Sequence, residues 1–167
     1  PMAYGAINWD RDLSWPSDRI RTADPGHIKI PGPATGSPDE YTMASLPEMR
    51  KAEITAALVK VTSCVKRPGH PHGEVRTQDL AYASAMGQLA YYSLLESKKE
   101  VQIISTSKNL QAHIDLWLNE SEYVDLPVGL IIGMEGADAI VYPDQVFEWW
   151  NNGLRVISLS HYGLSNY

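Results

Sequence analysis

The sequence contains one cysteine, Cys64, so no disulfide can form within the chain. Cys64 follows the run "ALVKVTS", and the expected role of such a thiol is a small buried apolar group rather than a nucleophile. No apolar stretch reaches the about 18 uninterrupted residues that a membrane-spanning helix needs. Basic residues do not cluster: the short runs "MRK" and "VKR" stand in a chain of net charge -6, which excludes the electrostatic footprint of a nucleic-acid-binding surface. Phosphate-binding loops are missing too. The stretch "GPATGS" has neither the G-K-[ST] ending nor a preceding strand. No G-x-S-x-G nucleophile elbow occurs. The first residues, "PMAYGAINWDRDL", lack the basic start and apolar run of a signal peptide. That favours the cytoplasm as an expectation, on a chain that opens on Pro1 and not on methionine.

What is present suits a globular domain. The chain has 167 residues, 44% hydrophobic and 20% charged, which is one domain's worth with enough length to bury a core. Residues 9–45 are rich in proline, glycine, aspartate and serine ("WPSD", "ADPGH", "IPGPATGSPDE") and read as a long irregular loop within that single domain. Beyond it the pattern turns regular. "EITAALVKV" (Glu53 to Val61) reads as a buried strand. "TQDLAYASAMGQLAYYSLLESKK" reads as a long helix capped by Thr77, with Leu80, Ala83, Met86, Ala90 and Leu94 on its inner face. "VQIIS" is a short strand. "SKNLQAHIDLWLNE" is a helix with Leu110, Ile114 and Trp117 on one side and Ser107 as its cap. "VGLIIGM" is a strand, "YPDQVFEWWNNG" a helix closed by Gly153, and "LRVISLS" (Leu154 to Ser160) a last strand. Strands alternating with helices predict a parallel sheet with helical crossovers. Two architectures fit, a doubly wound sheet or part of a (β/α)8 barrel, since a whole barrel takes about 250 residues.

In parallel α/β folds the chemistry sits where strands end. The strand exits here deliver Glu135 with Gly136 and Asp138, His161 with Tyr162, Thr62 with Cys64, and Ser105 with Thr106. A carboxylate and an imidazole at neighbouring exits are the ligand types of a catalytic zinc site. The plainer alternative has Glu135 capping a turn and His161 held by ordinary hydrogen bonds. The other histidines point less firmly to a site. "HPHG" places His70 and His72 in a solvated loop, His27 has no visible partner, and His113 reads as a surface residue of a helix. Asp10 and Asp12 read as capping residues. The pairs Tyr91–Tyr92 and Trp149–Trp150 read as packing against the sheet.

These segments together carry a resemblance. "GLIIGMEGAD", "EWWNNGLRVISLSHYGLSNY", "INWDRDL" and "ASAMGQLAYYSLLE" look like the membrane (renal-type) dipeptidase family, peptidase family M19, and more closely its bacterial branch. The resemblance covers essentially the whole chain. It implies a metal-dependent (β/α)8 (TIM) barrel of the amidohydrolase type. It further implies two zinc ions that activate a water to cleave the peptide bond of dipeptides, in some members those with a D-residue at the C-terminal side. Glu135 matches the carboxylate that bridges the metals. His161 matches a histidine that binds substrate near the developing oxyanion, a catalytic role, and Tyr162 lies beside it as a substrate contact. The family's H-x-D ligand motif and its later histidines have no counterpart in this sequence. The expectation is therefore an incomplete portion of the barrel, about strands two to five, inactive by itself. It would pair as a homodimer or with a second chain carrying the missing strands. The alternative is a non-catalytic α/β domain that binds a small molecule or a partner without metals.

Overall fold

The computed structural model describes residues 45–68 and 75–160. The first element is a short helix, α1 (Leu46–Lys51), with Pro47 in its first turn, where a missing N–H costs nothing. No helix is expected there from the sequence pattern. It ends at Glu53, whose φ of 54° turns the chain into β1 (Ala56–Thr62). The long helix α2 (Gln78–Ser97) starts at Thr77, whose hydroxyl accepts a hydrogen bond from the Leu80 amide at 3.3 Å. Then come β2 (Val101–Ile103), α3 (Ser107–Asn119), β3 (Val128–Glu135), a 3₁₀ turn (Ala137–Ala139), α4 (Gln145–Asn151) and β4 (Leu154–Ser158). Thr106, one residue before the expected Ser107, caps α3 by accepting from the Asn109 amide at 3.1 Å. Gly153 closes α4 with a φ of 98°, as anticipated, because a side chain at that dihedral would be strained.

The sheet is parallel throughout, as strands alternating with helices require. β3 is its centre. β1 runs along one side of β3 from Gly129 to Glu135. The other side is shared end to end: β2 pairs with Val128 to Leu130, and β4 pairs with Ile132 to Glu135, with a register shift between Ile132 and Gly133. The seam between these two strands is bridged by Arg155. Its guanidinium donates to the Ser105 carbonyl at 2.6 Å and to the Trp150 carbonyl at 2.8 Å, and its plane lies 3.8 Å from the Trp150 ring centre. The short strand expected at "VQIIS" is thus present, over Val101–Ile103. β1, β3 and β4 are the long members, and β2 is a three-residue accessory within the crossover from β1 to β3.

Strand alternation divides the sheet into two faces. Val59 and Val61 of β1 share a face with Leu130, Ile132 and Met134 of β3, all buried, and with Leu154 and Ile157 of β4. This face meets α2 through Ala81, Ala85, Leu89, Tyr92 and Leu95 and meets α4 through Trp149. The inner side of α2 is therefore rotated from the expected one. Leu80 and Leu94 are about half exposed, and the expected Ala83 and Ala90 are exposed too, because this helix turns Ala81 and Ala85 to the sheet and lets the strands approach closely. Of the two aromatic pairs, Tyr92 and Trp149 are buried, Tyr91 packs at the edge of the core, and Trp150 is exposed.

The second face carries Leu58, Lys60 and Thr62 from β1, Gly133 and Glu135 from β3, and Val156 and Ser158 from β4. Leu58 is 60% exposed and Val156 44%, so no described residue covers this face near the strand exits. At its other end α3 does cover it. A side chain at Gly129 would come within 2.6 Å of Ile104 and 2.9 Å of His113. His113 is fully buried, which corrects its expected surface position. One ring nitrogen donates to the Thr55 carbonyl at 2.9 Å, and the other bonds the side-chain amide of Gln102 at 2.8 Å. Arg50 fastens the same end, donating to the carbonyls of Leu126 and Glu100 and to the Glu100 carboxylate at 2.7 Å.

Candidate functional site at the strand exits

Glu135 is the last residue of the central strand, level with Thr62 of β1 and Ser158 of β4. Its side chain is 19% exposed, and its carboxylate is ion-paired with Lys60, which is 27% exposed. Burial pushes the Lys60 ammonium below the ordinary lysine value, and the neighbouring Cys64 side chain works in the opposite direction. Hydroxyls flank the carboxylate. The Thr62 hydroxyl donates to the Glu135 carbonyl at 3.0 Å, and the Ser158 hydroxyl donates to the Ser160 carbonyl at 2.8 Å. Gln88 of α2 braces the end of β1: its amide donates to the Thr62 carbonyl at 2.6 Å and accepts from the Thr62 amide at 3.0 Å. The strand tip that presents Glu135 is thus held from both sides.

The turn after Glu135 is fixed by backbone and by charge. Gly136 has a φ of 78°, and a Cβ there would meet nothing within 4 Å, so the dihedral and not lack of room requires glycine. Its amide and that of Ala137 donate to the carbonyls of Ser158 and Leu159, which ties the turn to the end of β4. Asp138, expected only as one residue of the exit, is 4% exposed and anchors the turn. Its carboxylate accepts from the Val65 amide at 2.9 Å and from both terminal nitrogens of Arg67, at 2.6 and 3.0 Å. The bidentate bond holds the Arg67 guanidinium above its already high ordinary value. The loops after β1 and β3 are therefore locked together beside Glu135.

Of the expected site residues, the structure places Glu135 at a strand exit beside the uncovered face. His161 and Tyr162 lie outside the described residues, as do His27, His70, His72, Asp10 and Asp12 and all but the last residue of the 9–45 loop. Cys64 is partly exposed, where a buried position was expected. Among the described residues no three histidine, cysteine, aspartate or glutamate side chains gather where they could hold a metal ion. Among the described residues, no helix is long and apolar enough to cross a membrane. Sequence reasoning passed over Lys60 and the pairing of Arg67 with Asp138. A lysine in mid-strand between two buried valines was the available signal for the first. The pairing became visible only once the fold brought residues 71 positions apart together. No family model matches this chain, and the curated proteins and solved structures with which it was compared give no match either.

Proposed function

We propose that this chain belongs to a hydrolase of the M19 dipeptidase type, and that its β1, β3 and β4 are consecutive strands of a (β/α)8 barrel. The observation that supports the reading is the position of Glu135. It ends the central strand of a parallel sheet, on the face that described residues leave open, with a left-handed glycine immediately after it. In a barrel that face is the interior, and its C-terminal rim holds the catalytic groups. Counting β2 as an excursion makes successive long strands neighbours, as barrel closure demands. The substrate in this reading is a dipeptide, with His161 and Tyr162 as its contacts.

The described residues do not by themselves fit a pair of zinc ions. One carboxylate stands at the site, and the nearest charged partner is an ammonium, which is no ligand. The remaining donors in this proposal come from residues outside those described or from a second chain. That same ion pair favours a second reading, a metal-free α/β domain that binds a small molecule or partner through its strand-exit loops. Zinc content by mass spectrometry, with a dipeptide panel that includes C-terminal D-residues, separates the two. The hydrolase reading expects about two zincs per chain in the native protein. It expects Glu135→Gln to lose metal and activity, and His161→Ala to keep metal while losing rate. Metal-free protein without activity on the panel sinks it. A histidine variant that loses metal first refutes the role given to His161.

A further inference from the structure

We propose that Lys60 is a built-in counter-cation for Glu135, supplying at the exit of β3 the positive charge a divalent ion would bring and competing with such an ion for the carboxylate. The competition deepens the hydrolase reading and rests on it; the pairing does not. Lys60 stands opposite Gly133 in the β1–β3 register, and Thr62 stands opposite Glu135. Lys60 and Glu135 are thus on the same face of adjacent parallel strands, one pleat period apart. Gly133 has no side chain to stand between them. Val59 and Val61, on either side of Lys60, are 1% and 0% exposed on the opposite face, so the strand cannot turn Lys60 away without unburying the core. Its direction is therefore dictated by alternation. The ammonium supplies one positive charge and three donors on a flexible stem, but no vacant coordination position. While it holds the carboxylate, Glu135 is compensated without Lewis acidity, and an incoming cation has to displace it.

The test uses the full chain and its variants K60M, K60R, E135Q and K60M/E135Q. K60M keeps most of the stem and removes the charge; K60R keeps the charge. Isothermal titration with zinc chloride alone, at constant pH, should show K60M binding about tenfold tighter than the parent chain, a difference of ~1.4 kcal/mol. K60R should stay near the parent value, and the double variant should lose the gain. Urea unfolding of the same set forms a double-mutant cycle, in which the two single losses should exceed the loss of the double variant. Additive losses overturn the pairing. Coupled losses with K60M binding zinc no better than the parent overturn the competition and leave the hydrolase reading standing. Coupled losses with no zinc bound by any variant support Lys60 as counter-cation and overturn the competition in this chain. Circular dichroism checks that each variant folds, and K60Q, which also removes the charge, replaces K60M in both measurements should K60M fail to fold.

Discussion

Removing Arg67 should harm this protein more than neutralising Asp138 as Asp138→Asn, although each change breaks the same ion pair and each leaves the Val65 amide an acceptor oxygen. The carboxylate is the more buried partner: the Asp138 side chain is 5% exposed, against 20% for Arg67. With the charge of Asp138 gone, the guanidinium can swing its long side chain toward water and recover much of its hydration. Without Arg67, the carboxylate keeps the Val65 amide but loses its bidentate cation in a place water barely reaches. Breaking a buried pair from one side costs about 3–5 kcal/mol when the orphaned charge cannot escape. Partial exposure of the arginine brings the expected loss for Asp138→Asn down to about 1–2 kcal/mol, within the range for a hydrogen bond to a charged group. Arg67→Ala should lose roughly 3 kcal/mol, toward the low end because Val65 remains as a donor. Urea denaturation followed by tryptophan fluorescence measures both. With a slope of about 1–3 kcal/mol per molar urea, the arginine variant should unfold at a midpoint roughly 1 M or more below wild type. The double variant should lose less than the two singles combined. Equal losses, or a larger loss for Asp138→Asn, would falsify the argument from burial.

Three further outcomes follow from the packing. Burial pushes the Tyr92 hydroxyl up to about 12 from an ordinary 10.0, while it donates to the Lys60 carbonyl at 3.0 Å. Its neutral form is the one the fold prefers, so its stability contribution is complete below pH 10 and is lost as pH rises toward 12. Tyr92→Phe should flatten that alkaline fall in urea-denaturation midpoints, and an unchanged slope refutes the assignment. Gly129→Ala should destabilise by about 1–3 kcal/mol, since the added methyl meets Ile104 and His113 inside contact distance. A neutral melting temperature would show that α3 yields easily. Thr77→Ala should cost about 1 kcal/mol by removing the cap of α2, read as a lowered urea midpoint.

The order of strands and helices was legible because apolar runs and helical spacing are local properties of sequence. The Thr77 cap and the Gly153 stop were legible for the same reason, since each acts on its immediate neighbours. The inner face of α2 was not. In "AYASAMGQLAYY" almost every residue is apolar or small, so hydrophobic contrast cannot tell one side of the helix from another. His113 was misplaced because the groups that satisfy it, Gln102 and the Thr55 carbonyl, come from other elements. At the candidate site, Glu135 stood out as a charge ending an apolar run. Lys60 was visible as an oddity within β1, but its meaning depended on the register between two strands whose first paired residues, Ala56 and Gly129, are far apart in the chain. Asp138 and Arg67 are ordinary surface-type residues in sequence, and only tertiary contact makes them a buried clasp.

The sharing of one side of β3 by β2 and β4 has a consequence for how such a chain can vary. The three long strands keep their pairings without β2, which touches only the first three residues of β3. The segment from Val101 to Pro127 is therefore an appendix to the sheet. Its length can drift at modest cost, because loop closure grows only with the logarithm of chain length. Glu135 lies at the opposite end of β3, roughly 23 Å away at about 3.3 Å per residue. Lengthening or trimming of this excursion should be felt by His113 and Gly129 long before it reaches the carboxylate. Variation in the length of this segment and the candidate site thereby fall at opposite ends of one strand.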